Sequence, residues 1–254
     1  MRAYLAFTKK ELLEQLRTYR LIIIISVFFL LGMMSPLFAK LMPDILSGMD
    51  VQGMKIEIPE PTVMDAYGQF FKNFTQMGMV VVLLVFGGIL SNEFMKGTLV
   101  NILAKGLSRP VVILSKFTAA VILWTAGFGV AVLSDYGYTL YLFGEAAVPN
   151  LAFSFFCLWL FGVFVIALIL LSGALASGTF GGLILTVGGL VFLIILSISP
   201  RTIKFNPVTL TSRNMELISQ SVKSNELYMP ITITIILTVC SLYFAILLFR
   251  RKKM

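Results

Sequence analysis

Histidine is absent from all 254 residues. Its absence removes the commonest metal ligand and the side chain that most often acts as general base, and with them histidine-dependent zinc, haem and Ser-His-Asp chemistry. Charge is scarce as well. Asp, Glu, Lys and Arg make up 13% of the chain, against roughly 25% in a soluble domain. The two cysteines, Cys157 and Cys240, each fall inside an apolar run, so a framework of exposed, paired cysteines is excluded. The phosphate cradle of a P-loop, a glycine followed after four residues by Gly-Lys-Ser/Thr, is missing too. The glycine pairs Gly181-Gly182 and Gly188-Gly189 carry no lysine and suit a turn and close helix packing instead.

What is abundant is apolar. Hydrophobic residues make up 58% of the chain and the mean hydropathy is +0.95, which makes a bilayer the relevant solvent. A helix crossing the hydrocarbon core needs about 20 mostly apolar residues. Stretches without Asp, Glu, Lys or Arg run over Leu21–Ala39, Asn73–Asn92, Phe117–Ser134, Ala146–Pro200 and Leu227–Phe249. The fourth would be about 80 Å long as one helix, at 1.5 Å per residue, and so must turn. The small residues between Ser172-Gly173 and Gly181-Gly182 are the natural place. Six spans result. Runs such as Ile22-Ile23-Ile24-Ile25 do not alternate, which favours helices over a barrel. The first 20 residues are charged and no small-residue cleavage site follows the first apolar run, so that run is expected to stay as a helix.

With six spans the two termini share a side. That side holds thirteen basic residues and the other seven, so the positive-inside rule predicts that both termini are cytoplasmic. The net charge of +8 is then a topology signal and an attraction to anionic lipid heads, and no nucleic-acid partner is expected. The predicted fold is an all-α integral membrane protein of six transmembrane helices, with an amphipathic elbow helix at the N-terminus and a cytoplasmic coupling helix between spans 2 and 3. The expected layout is one permease domain. It has an interfacial helix over 1–20 and spans over 21–41, 69–91, 110–135, 151–172, 180–199 and 228–249. Outer segments cover 42–68 and 200–226, and the cytoplasmic connector covers 92–109.

In the elbow, Leu5, Leu12, Leu16 and Tyr19 share a face while Lys10, Glu14 and Arg17 lie opposite, a pattern suited to the headgroup region. In the connector, Thr98 has the character of a helix start and Gly106 that of a left-handed stop. Ser108 then starts the next helix, with Pro110 in its first turn. Glu93 and Arg109 are expected to tie the connector's ends by an ion pair. Asp135 is the ionisable residue nearest a span. It follows the charge-free run and precedes Tyr136, Tyr138 and Tyr141, so it reads as an interfacial anchor or, alternatively, as an ion or substrate site.

After these features, the sequence resembles the permease subunits of ABC-2-type ATP-binding-cassette transporters. The resemblance is carried by Glu93, Gly97-Thr98, Leu99, Leu103, Ser108-Arg109 and Lys116 after the second span, by Lys10-Glu11 with Arg17 and Arg20 before the first, and by the closing Phe249-Arg250-Arg251-Lys252. The chain departs from the family where Lys105-Gly106-Leu107 stands in place of a common proline. The resemblance implies an exporter of a hydrophobic drug, peptide or lipid-like substrate in the cell membrane, built from two similar permease chains, identical or not, and two ATP-binding subunits. ATP and magnesium would sit on those partner subunits, with no cofactor, metal or catalytic residue on this chain. The ATPase-coupling surface would comprise Glu93, Gly97, Thr98, Asn101, Ile102, Lys105, Ser108 and Arg109, with Lys10, Glu11 and Arg17 on the elbow.

Other readings have less to stand on. An intramembrane enzyme needs a cluster of acidic, histidine or cysteine residues at depth, and an ion-coupled secondary transporter needs inverted repeats and broken helices. A non-transporting immunity or sensor protein, or an ion-extruding permease, shares the same architecture.

Overall fold

The computed structural model describes residues 2–47, 60–95, 97–104, 106–176 and 178–251, with backbone alone at 46, 47 and 100–102. No strand occurs among the described residues. In lipid every backbone N–H and C=O must be satisfied within its own segment, and helices do that locally. The elbow α1 (Arg2–Arg17) leads through Tyr19, at a left-handed φ of 59°, into α2 (Arg20–Ser47). The second crossing is composite. It comprises α3 (Val63–Asn73), a π-helical turn over Phe74–Gly78, α4 (Met79–Phe86) and, after a turn at 87–90, α5 (Ser91–Met95). The connector helix α6 (Thr98–Ala104) precedes α7 (Arg109–Phe143), α8 (Leu151–Leu175) and α9 (Thr179–Ser197). Two short helices, α10 (Thr209–Ser212) and α11 (Asn214–Ile218), lead to α12 (Tyr228–Arg251). Six of these segments are long and apolar enough to cross a membrane.

Helix α8 ends at Leu175 and α9 begins at Thr179, so the break between spans 4 and 5 falls inside the small-residue stretch. Other boundaries move. The second crossing begins at Val63, not 69, because Thr62 and Asp65 form a reciprocal capping box that carries the acidic residue at the helix start. A count of charge-free residues misses such a start. The first span likewise continues past Ala39 to Ser47, with Pro36 and Pro43 inside the helix.

Lipid is as apolar as leucine, so the spans are held by close packing rather than by a hydrophobic drive between helices. Helix α8 is the hub: 78% of its most apolar window is buried, against 11% for α9, which lies at the rim. Between α2, the start of the second crossing, α7 and α8 sits an aromatic cluster. Phe28 and Phe74 lie 4.7 Å apart, and Trp124 stacks on Phe128 at 5.3 Å. Trp124 donates its ring N–H to the Trp159 carbonyl at 3.0 Å. Glycines let this cluster close. A Cβ at Gly162 would overlap the Trp124 indole, and one at Gly127 would overlap Ile24.

Candidate functional site

Two arrangements of charged residues stand out, at opposite ends of α7. The first joins the elbow, α5 and α7. Lys116, two turns into α7, is 1% exposed and donates to Glu11 at 2.9 Å. Its ammonium lies 2.7 Å from Glu93 of α5. Lys10 lies 3.1 Å from Glu11, 2.5 Å from Glu14 and 3.7 Å from Glu93. Three acids and two bases thus bridge three segments that are remote in sequence. A cavity of about 520 Å³ opens beside them, lined also by Gln15, Arg20, Asn92 and Thr98.

The elbow's orientation follows from this. Its inward face is Phe7, Thr8, Glu11 and Gln15, while Leu5, Leu13, Leu16 and Tyr19 point outward. Tyr4 reinforces the attachment by a 2.6 Å hydrogen bond between its hydroxyl and that of Thr118. Glu11 and Gln15 therefore meet protein together with Phe7, because buried polar groups require partners, while the outward side carries Lys9 and Arg17 beside the leucines. Of the elbow residues singled out from sequence, Glu11 is at the centre, Lys10 is half-buried and Arg17 is exposed.

Burial pushes the Lys10 ammonium towards neutrality. The hydrogen bond to Glu14 and the fields of Glu11 and Glu93 outweigh it and hold the group above its ordinary value. Burial likewise pushes the Glu14 carboxyl up, but Lys10 and, further off, Lys116 and Arg20 overcome it and hold it below the ordinary carboxylate value. The signs give a plateau. Glu14 contributes fully above its unfolded value and loses that contribution as pH falls through the lower folded one. Lys10 contributes fully below its unfolded value and loses it as pH rises through the higher folded one. The pair therefore stabilises the elbow from about pH 5 to about pH 10. Thermal unfolding of the purified chain should weaken below about pH 4, and Glu14→Gln should flatten that acid limb. The effect is small, since both side chains are 43% exposed.

The carboxylate oxygens of Glu11, Glu14 and Glu93 lie within 4.8 Å of one another. Lys10 and Lys116 pair with these three carboxylates, so the group is an ion-pair network with one acid in excess.

The connector is assembled beside it. Gly97 and Gly106 adopt φ of 66° and 89°, the left-handed region that favours glycine, and bracket α6. The Thr98 hydroxyl donates to the Glu93 carbonyl at 3.4 Å. Ser108 stands at the start of α7, exposed and without a side-chain cap bond among the described residues, with Pro110 two residues on. Asn101 and Ile102 lie on α6, but their side chains, like Lys105 as a whole, fall outside the described residues. The expected Glu93–Arg109 pair is replaced. Glu93 goes to Lys116 and Lys10, while Arg109 donates to the Phe249 and Arg250 carbonyls at 2.7 and 2.5 Å and covers the Phe249 ring. Arg109 thereby uses the free carbonyls at the end of α12. Sequence reasoning missed Lys116 as the centre of the network. Its signal was being the last charge before the run Phe117–Ser134.

The second arrangement surrounds Asp135, near the other end of α7. Asp135 is 0% exposed, and neither carboxylate oxygen has a hydrogen-bond partner among the described residues. This is not the setting of a headgroup anchor. Tyr136, Tyr138 and Tyr141 are exposed, while Asp135 falls on the buried face of α7 with Ala131 and Thr139.

These features define a multi-pass α-helical membrane protein. The chain is similar to an uncharacterized transmembrane protein, YxlG, of Bacillus subtilis (strain 168), with 27% identity over 167 residues. The match covers 63% of this chain and 63% of that relative, so the chain spans less than two thirds of the relative's length. No protein-family model matches the chain.

Proposed function

We propose that this chain is the membrane-spanning permease subunit of an ATP-driven transporter of the ABC-2 type, exporting a hydrophobic drug, peptide or lipid-like substrate across the cell membrane. The carrying observation is the buried network Glu11–Lys116–Glu93, which ties the elbow and the foot of the second span to the third span. A push delivered at the connector is then delivered to the elbow and α7 as one body. In this reading the elbow, the connector and Arg250-Arg251 face the cytoplasm, as the basic residues of those segments favour. A separate subunit binds ATP and magnesium, and its closure drives the bundle between two discrete packings. A second permease chain, the same or similar, and the surrounding lipid complete the assembly.

The partner-facing residues in this scheme are Thr98, Asn101, Ile102 and Lys105. The test is to coexpress the chain with the P-loop ATPase of a neighbouring reading frame, purify the complex and measure substrate-stimulated ATP hydrolysis. Ile102→Asp with Lys105→Glu should lower stimulation about tenfold, a coupling effect of ordinary size. Failure of any such ATPase to copurify, or unchanged stimulation in an intact complex, would sink the reading.

A further inference from the structure

A cavity of about 230 Å³ lies between α3, with the π-helical turn that follows it, and the short helices α10 and α11. Two of the residues that border it carry a buried oxygen with no hydrogen-bond partner among the described residues: the Thr75 hydroxyl and Asn214 Oδ1. Asn214 is 1% exposed, and its amide nitrogen donates to the Thr211 carbonyl at 3.2 Å. A carbonyl only accepts, so that bond fixes which end of the amide is nitrogen and leaves Oδ1 as an open acceptor. Thr75 belongs to the π-helical turn over Phe74–Gly78, a geometry that recurs at functional sites. Lys72 borders the same cavity, is exposed, and pairs with no acid among the described residues. It is also the last charge before the charge-free run Asn73–Asn92. A lysine in that place carries its ammonium to the headgroup level. Further along the same crossing, Met77, Val80 and Leu84 are exposed and apolar.

We propose that this cavity binds the headgroup of an aminophospholipid, a phosphoethanolamine group on a diacyl lipid, at the membrane face remote from the elbow. Each open polar group selects part of that chemistry. Asn214 Oδ1 requires a donor, and the Thr75 hydroxyl accepts from one as well. Lys72 is a donor with a positive charge and requires an anion. A primary ammonium on a short link to a phosphate supplies both, through charge-assisted hydrogen bonds, the stronger kind. Phe71 and Met215 give apolar wall for the link. The volume suits a headgroup and falls below the roughly 300 Å³ at which pockets for drug-sized molecules begin. Choline fits less well. Its methyl groups replace the N–H donors and leave Asn214 Oδ1 buried and unpaired, which is costly. The whole lipid is favoured over the free headgroup because Met77, Val80 and Leu84 offer its acyl chains an apolar track beyond the cavity.

The inference does not rest on the transporter reading and is tested on the full chain purified in a non-ionic detergent. The probes are dioleoyl phosphatidylethanolamine and its mono-, di- and trimethylated forms, with bound lipid counted by native mass spectrometry. The trimethylated form should bind about tenfold more weakly than the parent, with the others between. This series needs no variant. Asn214→Leu should bring the four lipids within about twofold of one another, since it removes the acceptor that reads the N–H groups. Thr75→Val, which leaves the Asn214–Thr211 bond in place, should narrow the spread in part. Lys72→Gln should weaken all four alike, by about threefold, and keep their order. Equal affinities across the series, a spread unchanged in both Asn214→Leu and Thr75→Val, or displacement of the lipid by millimolar free phosphoethanolamine would overturn the proposal.

Discussion

Replacing Lys116 with methionine is expected to destabilise the chain by about 3–5 kcal/mol, the cost of leaving buried charges without their partner. The side chains of Lys116 and Glu11 are both 1% exposed and that of Glu93 is 11% exposed, so little water is at hand to take the ammonium's place. Methionine restores the volume but not the charge. The expected result is a lower midpoint in thermal unfolding in detergent, with early loss of the elbow. Combining Lys116→Met with Glu11→Gln and Glu93→Gln removes the orphaned charges. Because neutral replacements of buried ion networks are often close to isoenergetic, the triple variant should unfold near the wild-type temperature. It separates two roles of the network. If the ion pairs transmit motion, the triple variant folds, assembles with an ATPase and shows weak stimulation. If they serve stability alone, stimulation is unchanged. A single variant as stable as wild type would show that the network is not desolvated in the membrane.

The second large effect is at the aromatic cluster. Trp124 is fully buried, meets Phe28, Phe74 and Phe128, and donates to the Trp159 carbonyl. Trp124→Ala should cost an amount near the lower end of about 3–5 kcal/mol. The lower end applies because the removed ring would otherwise lie in lipid or protein, both apolar, so the cavity and lost packing dominate over transfer from water. Gly162 gives the opposite perturbation at the same place. A Cβ there would overlap the indole, and Gly162→Val should cost about 1–3 kcal/mol by overpacking. Combining Gly162→Ala with Trp124→Phe should recover part of the loss, because the smaller ring leaves room for the methyl. Additive losses in that double variant would indicate that the two residues do not share one packing site.

The candidate sites were unevenly legible from the residues. The connector was visible as a short helix because Gly97, Thr98 and Gly106 punctuate it, and Gly106 does adopt the left-handed conformation. The elbow was visible as an amphipathic segment. Which of its faces meets protein was not, because the pattern that marks an interfacial helix does not distinguish water from buried partners on its polar side. The Glu93–Arg109 expectation failed because it assumed that charges near each other at the connector's ends would pair. Glu11 and Lys116, 105 residues apart, are brought together instead, and Arg109 turns to the end of α12.

The sequence by itself determined the solvent, the number of crossings and the class of element. These depend on hydropathy summed over single segments and on backbone bonds made within them, both local properties. Tertiary structure alone decided which side chains meet. Lipid and protein interior are both apolar, so a span's composition does not say which face turns inward. Only the packing around α7 buries Asp135, and only the seating of α1 against α5 and α7 makes Lys116 the centre of an ion-pair network.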